Sequence, residues 1–138
     1  MNRNPILFLA IIAFSAVLLA VQLRAPTYDG AELYLANCSA CHGVYGEGDG
    51  PVSQDLSVAL QDLRYITQRN GGVFPREIVT AIVDGRDTRA THGPTDMPVW
   101  GEAFSRTEGY DAPAQQEVDE RITALVNFLS RVQLSPGR

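Results

Sequence analysis

Cys38-Ser39-Ala40-Cys41-His42 sets two thiols three positions apart, with an imidazole directly after the second. That spacing reads as the attachment site of a c-type haem. The thiols become thioethers to the two vinyl groups of the porphyrin, and His42 is placed by the same turn of backbone to bind the iron from one face. Three other chemistries use similar residues. A thioredoxin-like redox pair needs a βαβ setting, and no run of strands precedes Cys38. A structural zinc needs four ligands, and the chain holds only two cysteines and two histidines, the second being His92. A plain disulfide of an oxidising compartment leaves the position of His42 unexplained. Covalent haem is the reading that uses all three residues.

A second chemical signal lies at Asp96-Met97-Pro98-Val99-Trp100-Gly101. Apart from Met1, Met97 is the only methionine, and its polar, Pro/Gly-rich loop makes it a poor candidate for core filler. A thioether bound opposite His42 would complete six-coordinate iron and raise its potential, because a soft neutral donor favours the ferrous state. His92, in the same loop, is the rival ligand and would give lower-potential bis-imidazole iron; read plainly, it is a solvated loop residue. Arg64, Tyr65 and Arg69 are candidates to bond the haem propionates, since arginine pairs with carboxylates bidentately. Ordinary surface arginines would look the same.

The elements that must position these groups read as helices. Asp29 caps a helix through Gly30–Ala36, with Leu33, Tyr34 and Asn37 on neighbouring turns and Gly30 open to close approach by another helix. Tyr34 is read as core packing. Gly43, Gly46, Gly48 and Gly50 fold the backbone tightly around a bulky group, and a carbonyl near Pro51 is expected to accept the Nδ1 proton of His42, leaving Nε2 for iron. A phosphate-cradling loop is a poorer account, because no strand leads in and no G-K-[ST] follows. Leu56, Ala59, Leu60 and Leu63 have the spacing of one short helix. Pro75 opens a helix whose stripe of Ile78, Val79, Ile82 and Val83 walls one edge of the pocket, ending at Gly85. Arg86–Gly101 reads as a loop, and Phe104 and Tyr110 lead into a polar connector. Asp111-Ala112-Pro113 starts the last helix, with Val118, Ile122, Leu125, Leu129 and Val132 along one face, packing across the first helix at Gly30 and Tyr34.

The 138 residues bound one small domain after an N-terminal apolar segment, so folding is expected to depend on burying the cofactor. Ile6–Leu23 are eighteen residues without a charge. As a helix this run spans roughly 27 Å, enough to cross a bilayer and longer than the usual signal-peptide core. No clear A-x-A cleavage site follows it, which favours retention as an anchor over residues 1–25, with 26–138 as the haem domain. Arg3 ahead of the run is equally what a secretory signal shows; on either reading the remainder is exported. Net charge is −5, and −7 from Pro26 onward, where nine arginines meet sixteen acids. There is no lysine. Such a surface disfavours nucleic acid and anionic headgroups, and suits a partner with a basic or mostly apolar docking patch.

From about Asp29 to Gln133 the chain resembles the class I, monohaem cytochrome c family. The likeness rests on Gly30 and Tyr34 ahead of C-S-A-C-H, the G-x-G-x-G-P loop ending at Pro51, Asp84-Gly85-Arg86, the M-P-V-W-G segment at Met97, and the amphipathic last helix. It implies an all-α fold around one haem c held through Cys38 and Cys41, with His42 and Met97 as axial ligands and the terminal helices crossing. It also implies one-electron transfer between larger redox proteins rather than enzymatic turnover. The chain departs from the lysine-ringed mitochondrial members, so their docking mode does not carry over. The apolar N-terminus is similar to that of membrane-tethered bacterial members, which places the haem domain in the periplasm at the inner membrane. Two rivals stand beside the carrier: a fixed cytochrome c subunit of a membrane oxidoreductase complex, and a haem enzyme or gas sensor in which Met97 is displaceable.

Overall fold

Aspartate side chains set where the first and last helices begin. In the computed structural model, which describes residues 28–86 and 97–135, the Asp29 carboxylate accepts from the Ala31 amide at 2.8 Å and opens α1, Gly30–Asn37. A bend at Cys38 separates it from the single turn α2, Ser39–His42. The remaining helices are α3 (Ile66–Arg69), α4 (Arg76–Asp84), α5 (Trp100–Glu108) and α6 (Ala112–Arg131). Two 3-10 turns, Ser53–Asp55 and Leu63–Tyr65, lie between α2 and α3. The described residues contain no strand, so the all-α expectation holds for them. The predicted membrane segment and His92 lie outside the described residues.

The last helix is the one against which the others stack. Asp111 caps it by accepting from Ala114 N at 3.0 Å, and Pro113 sits in its first turn, where its missing N–H costs nothing. Val118, Ile122, Leu125, Val126 and Leu129 of α6 are buried, and the helix touches α1, α4 and α5. Burying side chains of this size contributes about 1.5–3 kcal/mol each. The crossing with α1 falls where the sequence places it. Gly30 lies directly on the Ala124 carbonyl, so closely that a Cβ there would collide with it. One turn further on, the Tyr34 and Phe128 rings meet with centroids 5.1 Å apart.

Two local expectations need correction. The short helix read from Leu56, Ala59, Leu60 and Leu63 does not form. Leu63 N donates to Gly46 O at 2.7 Å and the Asp62 carboxylate caps Arg64 N, so the backbone is committed to the glycine loop and to a 3-10 turn instead. Conversely, Trp100–Glu108 is a helix where a loop and connector were expected. Its apolar stripe is only Trp100 and Phe104, too sparse to show periodicity, with ring centroids 5.7 Å apart. Gly101 in its first turn is dictated by approach: a side chain there would strike Asp84 and Arg86 at the end of α4. Arg86 then reaches Gln115 and Asp119 of α6, both at 2.6 Å, and so ties the end of α4 to α6.

Gly30→Val is expected to destabilise the haem-loaded domain by about 1–3 kcal/mol, since the helices must separate or distort to admit the side chain. A urea titration reads this directly, and an unchanged midpoint would show that the crossing is not close-packed.

Candidate haem site

Residues 38 and 42 are one helical turn apart, so a single turn presents the Cys38 thiol and the His42 imidazole on the same face. The turn is held by Cys38 N to Tyr34 O at 2.8 Å and His42 N to Cys38 O at 2.9 Å. Both side chains line a cavity of about 430 Å3, and Met97, from the segment leading into α5, lines the same cavity. Three of the four predicted site residues therefore share one enclosure. Cys41 is half buried on the turn and is not part of its wall.

The enclosure is chiefly apolar. Ile78, Val79, Ile82 and Val83 of α4 line it as expected, together with Leu125 and Leu129 of α6 and with Leu63 and Ile66. Gln61, Arg69 and Asn70 supply the polar part. A broad, flat hydrophobic group with a polar margin fits such walls, and the donor set fits it too. Cys38 and Cys41 are not joined to each other in a disulfide, and His42 Nδ1 is buried without a hydrogen-bond partner. Burial lowers the His42 pKa, which favours the neutral imidazole a metal ligand must be. Burial, helped by the nearby Cys41, pushes the Cys38 thiol up to about 12. Among the described residues no group of three His, Cys, Asp or Glu side chains gathers as a zinc reading would need.

The expected bond from His42 Nδ1 to a carbonyl near Pro51 is not made. Several carbonyls here bond within the loop instead: Gly50 O accepts from Ser53 N at 2.9 Å, His42 O from Gly48 N at 2.8 Å, and Cys41 O from Gly50 N at 3.1 Å. These bonds are why the loop is glycine-rich. A Cβ on Gly50 would run into the carbonyls of Ala40 and Cys41, and Gly43 has φ +80° with the Asp49 carboxylate packed over it.

Other residues serve the site without a signature in the sequence. The Tyr34 hydroxyl, fully buried, donates to Gly43 O at 2.7 Å and pins the backbone immediately after His42. Gln133 spans the cavity rim, donating to Leu63 O at 2.9 Å and accepting from Thr67 N at 2.9 Å, and Leu134 N donates to Arg64 O at 2.8 Å. Of the propionate candidates, Arg64 is committed to Glu47 and Asp62, each at 2.6 Å, whereas Arg69 lines the cavity.

Cys38, His42 and Met97 in the wall of one chiefly apolar cavity, with Cys41 on the same turn of backbone, are a donor set that fits covalently attached haem. A family model described as cytochrome c matches residues 28–133, and the chain belongs to that family. Its cofactor is accordingly haem c, bound covalently through Cys38 and Cys41. No curated protein and no solved structure matches the chain.

Burial pushes the Tyr34 phenol up to about 12. An unfolded tyrosine titrates near about 10, so between these values the unfolded state holds fewer protons and stability falls as pH rises. Tyr34→Phe is expected to remove this share of the alkaline loss, on the order of 2 kcal/mol. At neutral pH it should cost about 1 kcal/mol by stripping Gly43 O of its donor. Denaturant titrations at about pH 8 and about pH 11 check the crossover; parallel losses for both proteins would take Tyr34 out of the alkaline limb.

Proposed function

We propose that this protein is a carrier of single electrons between redox proteins, not an enzyme, with His42 and Met97 as the two axial ligands of its haem iron. The observation that carries the reading is that the only methionine besides Met1 lines the same cavity as His42. When bound, haem c supplies a reversible ferric–ferrous couple, and two protein ligands leave no open position for oxygen or peroxide chemistry. The chain's own part is to hold the ligands on short, internally bonded segments and to exclude water with the α4 and α6 walls.

Residues 1–25 are proposed as a retained anchor and 26–138 as a haem domain in the bacterial periplasm, at the surface of the inner membrane. Among the described residues no helix is long and apolar enough to cross a membrane. The proposal rests on the uncharged run Ile6–Leu23. A tether would raise the effective concentration of the carrier near membrane oxidoreductases.

Optical spectra of membrane and soluble fractions, after expression with haem-attachment machinery, test both parts. Sharp reduced α and β bands with a weak far-red ferric band, in the membrane fraction, are the expected result. Low-spin bands without the far-red feature would transfer the ligand role to His92, and a high-spin spectrum that binds CO readily would favour a haem enzyme or sensor. Met97→Ala should open a coordination site and lower the potential by on the order of 100 mV, well inside the range axial ligands command; an unchanged spectrum and potential would remove Met97 from the iron.

Arg69 is proposed as the propionate partner, because it lines the cavity while Arg64 is already paired. Arg69→Gln removes a positive charge that opposes the ferric state, so the potential should drop by tens of millivolts, about what Coulomb's law gives at an effective dielectric constant of ~20. The pH at which the potential changes slope should move upward as the propionate loses its cation. Equal potentials and pH profiles for wild type and variant would leave Arg69 a surface residue.

A further inference from the structure

The stretch that carries the attachment residues has charges of one sign in sequence, the nearest α6 arginines, Arg121 and Arg131, lying at its Tyr28–Gly30 end. Between Tyr28 and Leu63 there are six acids and no Lys or Arg. The first cation beyond it, Arg64, is spent on Asp62 and Glu47. Glu32, Asp49 and Asp55 are exposed and form no ion pair among the described residues. The rest of the described surface has mixed sign, with Arg86 on Asp84 and Asp119, Arg106 on Glu102, and Arg121 on Glu108. A mixed surface steers nothing, whereas a one-signed one does.

The same stretch also exposes large apolar side chains: Leu35 (50%), Val44 (59%), Tyr45 (74%) and Val52 (38%). Local hydrogen bonds place them around the attachment turn. Val52 N donates to Ala40 O at 3.1 Å, Ser39 Oγ donates to Leu35 O at 2.7 Å, and Val44 and Tyr45 form the tip of a turn closed by Gly46 N to Gly43 O at 3.2 Å. An apolar centre within a charged rim is the composition of a protein-binding surface. Lipid is a poor occupant, because anionic headgroups repel an acidic rim.

We propose that this face, Leu35, Val44, Tyr45 and Val52 within the rim of Glu32, Asp49 and Asp55, is the docking surface for a redox protein presenting an Arg/Lys rim around an apolar centre. The inference rests on the electron-carrier reading and names its partner's chemistry. A partner seated there is separated from the attachment residues only by the backbone that carries them. Complementary charge sets the encounter rate and orientation, and the apolar centre sets how long the complex lives.

The test uses the full haem-loaded chain in its ferrous form, oxidised in stopped flow across a range of ionic strength by two reagents. One is tris(1,10-phenanthroline)cobalt(III), a cation with an apolar rim; the other is ferricyanide, an anion. In each case one electron leaves the ferrous protein and reduces Co(III) to Co(II) or ferricyanide to ferrocyanide. The E32Q/D49N/D55N variant is expected to slow the cobalt reagent roughly threefold to tenfold at low salt, to flatten its salt dependence and to accelerate ferricyanide. The control E77Q/D111N/E120Q makes the same change in net charge elsewhere and should leave both rates within about twofold of wild type. V44S/Y45S should slow the cobalt reagent alone. Spectrum and potential are recorded first for every variant. A wild type without the low-spin couple would sink the carrier reading itself, and a variant with altered haem is replaced by E32Q/D55N. Equal effects of the two charge variants, or none from either, would overturn the docking surface while leaving the carrier intact.

Discussion

The backbone-to-backbone contact of Gly30 with Ala124 is the constraint on which the rest of this domain depends. It sets the distance between α1 and α6, and with it the depth at which Tyr34 meets Phe128. Tyr34 in turn holds Gly43 O, and Gly43 follows the proposed iron ligand directly. A chain of packed contacts thus runs from a helix crossing to the orientation of an imidazole. Close packing makes such chains stiff, because a core at crystal-like density does not deform continuously. Stiffness suits a protein whose work is to change the charge on a metal with little rearrangement around it.

The site itself is an economy of backbone. The loop after His42 folds on its own amides and carbonyls, at glycines where side chains would collide, and so requires little of its side chains. Its large side chains, Val44 and Tyr45, are turned out to water, and its charges are all of one sign. Elsewhere among the described residues Arg86, Arg106 and Arg121 are paired with carboxylates, and the inner face of α6 is buried. Each surface ion pair contributes little by itself. Arg86, which reaches Asp84, Gln115 and Asp119 at once, acts instead as a clamp between the end of α4 and α6, beside the segment that delivers Met97.

Membership of the cytochrome c family explains why one cavity serves so small a core. A domain of this size has limited apolar surface to bury by itself, and a large flat cofactor makes up the difference. The walls formed by α4 and α6 contact the cavity with side chains that would otherwise need a partner; Ile78, more than half exposed, is such a residue.

Local chemistry was legible in the sequence because it depends on spacing along the chain. Cys38, Cys41 and His42, the caps at Asp29 and Asp111, the Gly85 helix end, the α4 stripe and the α6 face each announce themselves within a few residues, and even the crossing at Gly30 could be read from a missing side chain. What only the tertiary structure decided involves groups distant in sequence. That Met97 shares the cavity of His42, that Arg64 is consumed by Glu47 and Asp62 while Arg69 is not, and that Gln133 braces the rim at Leu63 and Thr67 depend on which backbones lie side by side. The helix at Trp100–Glu108 and the absent one before Leu63 belong to the same class. Their periodicity is weak, so long-range bonds to the glycine loop and packing on the end of α4 outweighed local propensity. A residue's type and near neighbours set what it can bond; the fold alone sets what is within reach.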